Sequence, residues 1–237
     1  MVDGTCRRPV RRPATDDGGN GERMQVSHLG HASLLVETDR ARVLVDPGTL
    51  SHGWLGLTDL AMVVVTHQHA DHVDVERLRP VLTANPGATL VTEAATAALL
   101  AEHDVRATVL AADEAIRAGD LTVTGHGTTH ARIHPRIPPV PNLGVVVEQD
   151  DGARILHPGD ALEVAPSVDV VALPIAAPWA SVAMLADWAV AVAAPHAVPI
   201  HDALLSPAGR AVHIRLVREL TDDIAVADLA DGSRLTL

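Results

Sequence analysis

Met62-Val63-Val64-Val65 is an uninterrupted apolar run, and Thr66-His67-Gln68-His69-Ala70-Asp71-His72 follows it without a break. A short apolar run of this length, rich in β-branched residues, is the pattern of a buried strand. The fold must therefore hold three imidazoles and a carboxylate at the mouth of a sheet. Such a density of polar groups suits neither a core nor an ordinary surface, whereas it suits a metal nest. Neutral imidazole binds zinc or iron, and a carboxylate can hold a second ion or bridge to one. In an extended segment His67 and His69 project to the same side and can grip one ion. Asp71 and His72 fall where the chain turns toward a helix and can face a neighbouring ion.

The rest of the chain supplies a core for one large α/β domain. Hydrophobic residues make up 47% of the 237 residues, yet Phe and Tyr are absent. Val, Leu, Ala and Ile must therefore fill the interior, with Trp54, Trp179 and Trp188 as the aromatic side chains. A net charge of −12 offers no attractive field to nucleic acid or to an anionic membrane, so neither is an expected partner. The one cysteine, Cys6, excludes an internal disulfide and a cysteine-rich zinc site. No run approaches the roughly 18 apolar residues of a membrane helix. The arginines at 7, 8, 11 and 12 precede no apolar segment, so no secretory signal is expected and the cytoplasm is the expected location. A homo-oligomer is compatible with all of this.

Residues 1–23 are rich in Arg, Pro, Gly and Asp and read as a disordered leader, with Met24 an alternative translation start. The folded domain is expected over 24–237. Strands are expected at Met24–Leu29, Ser33–Thr38, Arg42–Asp46, Ala61–Thr66 and Ala88–Val91. A helix is expected over His72–Ala84, with Pro80 near its first turn or at a kink, and another over Glu93–Glu102 capped by Thr92. Strands near 107–110, 115–117 and 121–125 lead to a hairpin of Leu143–Glu148 and Ala153–Leu156. The strands Asp169–Leu173 and Ala197–Ile200 flank a helix over Ser181–Ala193. The helix Pro207–Leu220 and the strands Ile224–Ala227 and Arg234–Leu237 close the chain. Two successive sets of strands with helices outside predict a four-layer αββα sandwich of two mostly antiparallel or mixed sheets.

Three further polar pieces stand where strands end, which is where α/β proteins place their sites. His130 lies in Gly125-His126-Gly127-Thr128-Thr129-His130, Asp160 in Leu156-His157-Pro158-Gly159-Asp160, and His201 in Val198-Pro199-Ile200-His201-Asp202. With the cluster they supply donors for two cations. Spacing alone does not choose among His126, His130 and His134. The remaining histidines, His157 among them, read as surface or hydrogen-bonded residues.

With these motifs in this order, the chain resembles the metallo-β-lactamase superfamily over residues 24–237, its H-x-H-x-D-H signature intact at 67–72. Leu29-Gly30-His31-Ala32-Ser33 is similar to the branch that includes the phosphorylated-ascorbate lactonase. His130-Ala131-Arg132-Ile133-His134-Pro135, with Asn142-x-Gly144 and His157-Pro158-Gly159-Asp160, narrows the resemblance to a bacterial metallo-hydrolase subgroup near that branch. That subgroup would carry Asp where this chain has Arg136. The resemblance implies one ion at His67, His69 and His130 and another at Asp71, His72 and His201, with Asp160 bridging. It places Asp46 at the family's first motif; His31 and Asp46 are expected to orient the metal-binding side chains from behind.

The expected activity is hydrolysis of a small ester, lactone or phosphodiester by water activated between two divalent cations. These are zinc by the histidine count, with manganese or iron as alternatives. Asp71 and Asp160 are the expected catalytic carboxylates. Arg132, His134, Arg136, Trp54 and Trp179 are candidate substrate contacts, the arginines for an anionic group. The rival classes are iron-dependent redox chemistry on a sulfur compound at a mononuclear site, and a non-catalytic binding protein on the same scaffold.

Overall fold

Apolar residues occupy both faces of most strands, so both faces of each sheet must be covered. A computed structural model describes residues 23–150, 152–165 and 167–237; the leader expected over 1–23 thus lies, Arg23 apart, outside the described residues. The first half comprises β1 (Gln25–His28), β2 (Leu34–Glu37), β3 (Arg42–Val45), β4 (Met62–Val65), α1 (Val75–Ala84), β5 (Thr89–Thr92), α2 (Ala94–Glu102) and β6 (Thr108–Val109). The second comprises β7 (Ala115–Ala118), β8 (Leu121–His126), β9 (Gly144–Gln149), β10 (Arg154–His157), β11 (Val170–Pro174), α3 (Val182–Val192), β12 (His196–Ile200), α4 (Pro207–Leu220), β13 (Ala225–Val226) and β14 (Arg234–Thr236). They build two seven-stranded sheets, ordered β14-β1-β2-β3-β4-β5-β6 and β13-β12-β11-β10-β9-β8-β7. The two-residue side-chain period sorts the core into three layers. Val43, Val45, Met62 and Val64 meet Val145, Val147, Ile155 and Ala172 between the sheets. Leu44, Val63 and Val65 point outward under Leu78 and Val81 of α1 and Leu100 of α2. Val171 and Leu173 point the other way, under Trp188 of α3 and Val217 of α4. The αββα sandwich expected from the strand pattern is what forms.

Four local expectations change. α1 begins at Val75 rather than His72: the His72 ring is held by Asp46 at 2.7 Å, and the Asp74 carboxylate caps the helix by accepting from Arg77 N. Pro80 lies inside α1, where its missing N–H falls on the exposed side. The cap of α2 is Glu93, which accepts from Ala95 N and Thr96 N, because the Thr92 hydroxyl donates to Val65 O across the sheet. Trp54, a candidate substrate contact, is instead fully buried in the layer beneath α1 and α2, its Nε1–H donating to Ser51 Oγ at 2.9 Å. An indole of this size fills volume that aliphatic side chains alone would leave to several residues.

Candidate metal centre

Strand direction brings the polar loops together. In the first sheet β1, β3 and β4 run the same way, since β1–β2 and β2–β3 are antiparallel and β3–β4 parallel. In the second, β8 runs with β10, β11 and β12 by the same parity. The C-terminal ends of β1, β3 and β4 carry His31, Asp46 and His67; those of β8, β10 and β12 carry His130, Asp160 and His201. Leu143 N donates to Thr66 O, His201 N to His31 O and the His157 ring to Ala32 O, tying the two edges together. His31, Asp46 and His201 all adopt left-handed backbone, with φ of 48°, 49° and 61°. Each such residue costs about 1–3 kcal/mol, a strain typical of functional sites.

Two donor sets result: His67, His69, His130 and Asp160, and His31, Asp71, His72 and His201, the atoms within each lying within 4.8 Å of one another. Four rings are anchored through Nδ1. The His72 Nδ1–H donates to Asp46 Oδ2 at 2.7 Å, and the His130 Nδ1–H to Ala131 O at 2.5 Å. The His201 Nδ1–H donates to Ala176 O at 2.7 Å. The His67 Nδ1–H donates to Thr66 Oγ1 at 3.1 Å, and that hydroxyl passes its own proton to Asp46 Oδ2 at 2.8 Å. Occupying Nδ1 turns each Nε2 lone pair inward.

There they face acceptors. His72 Nε2 and His201 Nε2 lie 3.1 and 3.2 Å from Asp160 Oδ1, and His130 Nε2 lies 3.2 Å from Asp160 Oδ2. These three nitrogens and Asp160 Oδ1 are buried with no aligned hydrogen-bond partner among the described residues. Lone pairs brought this close in a buried site repel unless a cation or proton stands between them. This donor chemistry fits divalent metal.

The protonation preferences follow the same geometry. Burial penalises the Asp160 carboxylate, but His72, His130 and His201 outweigh it and hold its pKa well below the carboxylate range. Asp71 behaves likewise beside His201 and His31. Burial lowers His67 and His69, so both stand neutral. His201 is pushed up to about 9 and His72 is also raised, because their carboxylate contacts overcome burial. Without metal, therefore, protons supply the positive charge that the carboxylates attract.

His31 differs from the other imidazoles. Ala203 N–H donates to its Nδ1 at 3.3 Å, so Nε2 carries the proton and donates to Asp71 Oδ2 at 3.1 Å. Both nitrogens are thus engaged, and the ring orients Asp71. Asp46 orients His72 and, through Thr66, His67.

The other candidates separate clearly. His130 reaches the cluster, whereas His126 and His134 fall outside both sets. His134 is exposed, its Nδ1 accepting from Arg136 N at 3.1 Å. Trp179 is buried beneath α3 and donates its Nε1–H to Asp160 Oδ2 at 2.8 Å, so it positions that carboxylate. Arg132 lines a narrow groove beside His69 and His130, and Arg136 does not. Asn142 stands in the sequence only as part of the Asn142-x-Gly144 motif. It is buried, its Oδ1 accepting from Asp160 N at 2.9 Å and its Nδ2–H donating to Pro158 O. A Cβ at Gly159 (φ 59°) would meet Asn142 Oδ1 at 2.3 Å, which explains the glycine there. In His157 the Nε2–H donates to Ala32 O while Nδ1 accepts from Gly159 N, as expected of a hydrogen-bonded histidine.

His130→Ala is expected to lower bound metal by one equivalent per chain, while His134→Ala leaves it unchanged. Elemental analysis of both variants after dialysis against zinc decides this, and the reverse pattern would transfer the ligand role to His134.

Residues 25–201 match the family model described as "Beta-lactamase superfamily domain". Protein Rv0786c of Mycobacterium tuberculosis is 45% identical over 200 residues, covering 84% of this chain and 93% of that protein. A UPF0173 metal-dependent hydrolase of Aeropyrum pernix is 30% identical over 106 residues, 40% of each chain. Among solved structures, the metallo-beta-lactamase fold protein YhfI from Bacillus subtilis superposes with a TM-score of 0.71 at 14% identity, covering 91% of this chain and all (100%) of that one.

Proposed function

This chain belongs to the beta-lactamase superfamily, and from that membership and the paired donor sets we propose that it is a metal-dependent hydrolase of a small ester, lactone or phosphodiester. The observation that carries the reading is the set of Nδ1-anchored imidazoles whose inward lone pairs face Asp160. One ion would be held by His67, His69 and His130 and a second by Asp71, His72 and His201, with Asp160 between them. Divalent cations held there, zinc by the histidine-rich donor set, would supply Lewis acidity, which brings the pKa of a bound water to about 7.

The chain's own residues do the rest. Asp46, Ala131 O and Ala176 O fix ring tautomers, so the ligand lone pairs are preorganised. Trp179 and Asn142 hold the Asp160 side chain and its backbone. Asp71, with roughly a quarter of its side chain exposed (27%), is the site carboxylate that solvent reaches, and it is placed to orient the attacking water or take its proton. His31 donates to the same carboxylate and keeps it aimed. The branch near the phosphorylated-ascorbate lactonase, suggested by Leu29–Ser33, favours a small soluble substrate as the partner. No described helix is long and apolar enough to cross a membrane. Two complete donor sets favour a binuclear hydrolase over a mononuclear iron oxidoreductase, and over a scaffold whose ligands have been lost.

Chelation is the direct test. Removing metal is expected to abolish hydrolysis of p-nitrophenyl acetate or bis-p-nitrophenyl phosphate and to lower the melting temperature, with zinc or manganese restoring both. Unchanged hydrolysis by metal-free protein, or one stoichiometric iron in protein from its native host, would overturn the reading.

A further inference from the structure

The chain from His130 to Pro141 leaves the centre and returns to it. His130 N donates to Val140 O, Thr129 pairs with Pro141, and Ala131 N donates to Asp160 O at 2.7 Å. Both ends of this loop are thus pinned to the metal-binding residues, and Pro135, Pro138 and Pro139 restrict the backbone between them. The loop therefore forms a standing wall. Between it and His69 runs a groove lined by His69, His130, Arg132, Ile133, Ile137 and the loop prolines, with no acidic side chain among its lining residues. That is notable in a chain of net charge −12.

Most guanidiniums here are committed: Arg210 to Asp202 and Asp228, Arg117 to Asp150, Arg234 to Glu37, Arg215 to Glu219. Arg132 is exposed at the groove and makes no hydrogen bond or ion pair among the described residues. Its main chain follows directly on the Ala131 anchor, so its position relative to His130 is set by the centre itself. A planar fork of donors recognises carboxylate or phosphate oxygens, and it discriminates best where no neighbouring acid competes.

We propose that Arg132 is a specificity-determining residue that binds an oxyanion, carboxylate or phosphate, on a substrate whose reacting group sits at the His69 and His130 side of the metal-binding cluster. This rests on the hydrolase reading of the adjacent centre and narrows it to anionic substrates.

The test uses zinc-loaded full-length protein, wild type, Arg132→Gln and Arg136→Gln, with binding of phenyl phosphate, phenylacetate and neutral phenylacetamide measured by calorimetry. Wild type is expected to bind at least one of the two anions about tenfold more tightly than the amide. Arg132→Gln is expected to weaken anion binding several-fold while leaving amide binding unchanged, and Arg136→Gln to keep the wild-type affinities. The stronger anion tells phosphate from carboxylate. Metal is common to all three proteins, so the difference between variants reports the side chain alone. Equal anion binding by wild type and Arg132→Gln, with matching melting temperatures, would overturn the proposal. Absence of hydrolysis of every ester and diester tried would instead strike the hydrolase reading, while the binding comparison still decides the role of Arg132.

Discussion

Asp160→Asn is expected to strip metal from the protein and reduce kcat/KM by more than the roughly 10–100-fold typical of groups that merely support a ligand. One carboxylate here answers to three imidazoles: Oδ1 faces His72 and His201 and Oδ2 faces His130 while accepting from Trp179. Asn keeps the volume and a carbonyl for the indole N–H, and its amide can donate to one Nε2 lone pair. What it removes is the negative charge between the two donor sets. The metal-free variant is therefore expected to fold with wild-type circular dichroism, and the loss should appear in elemental analysis and in rate. A variant that retained two equivalents of zinc and wild-type turnover would show that Asp160 does not join the sites.

The parts of this centre that were legible in the sequence are those encoded locally. Met62–Val65 followed by His67 and His69 needs only the two-residue strand period to place both rings. Asp160 and His201 declare themselves by standing after apolar runs, whereas His130 is separated from His126 and His134 only by the family motif. What stayed hidden depends on contacts between distant segments. The start of α1 could not be read because the bond that withholds His72 from the helix comes from Asp46, 26 positions earlier. Trp54 reads as a candidate substrate contact in the sequence, and only the layer beneath α1 reveals the space its indole fills. Trp179 and Asn142 act on Asp160 across 19 and 18 positions, distances at which no periodicity speaks. Arg132 and Arg136 are equivalent on paper; the turn at His134 and the prolines separate them.

The same long-range packing makes Gly48→Ala the most damaging small substitution expected in this chain. A Cβ on residue 48 would stand 1.8 Å from Asp71 O, 2.1 Å from Asp71 C and 2.6 Å from His72 N. All three are main-chain atoms, so no side-chain rotation relieves the overlap. Neither segment can yield cheaply. Thr49 N donates to Ala70 O and Asp74 N to Pro47 O, each within 2.9 Å, clamping residues 47–49 against 70–74. Overpacking of this severity costs about 3 kcal/mol or more, which for a domain of this size lowers the melting temperature by about 6–12 °C. The shift falls on Asp71 and His72, so the ion they would share with His201 should be lost before the one at His67, His69 and His130. Unlike Asp160→Asn, the defect should persist in metal-free protein, because its origin is steric. Gly87→Ala is the control: beyond its chain neighbours no heavy atom of the described residues lies within 4 Å of a Cβ there, so its melting temperature should stay at the wild-type value. If Gly48→Ala and Gly87→Ala melted together, the turn after β3 would not be seated on the metal-binding segment, and the route by which Asp46 reaches His72 would have to be redrawn.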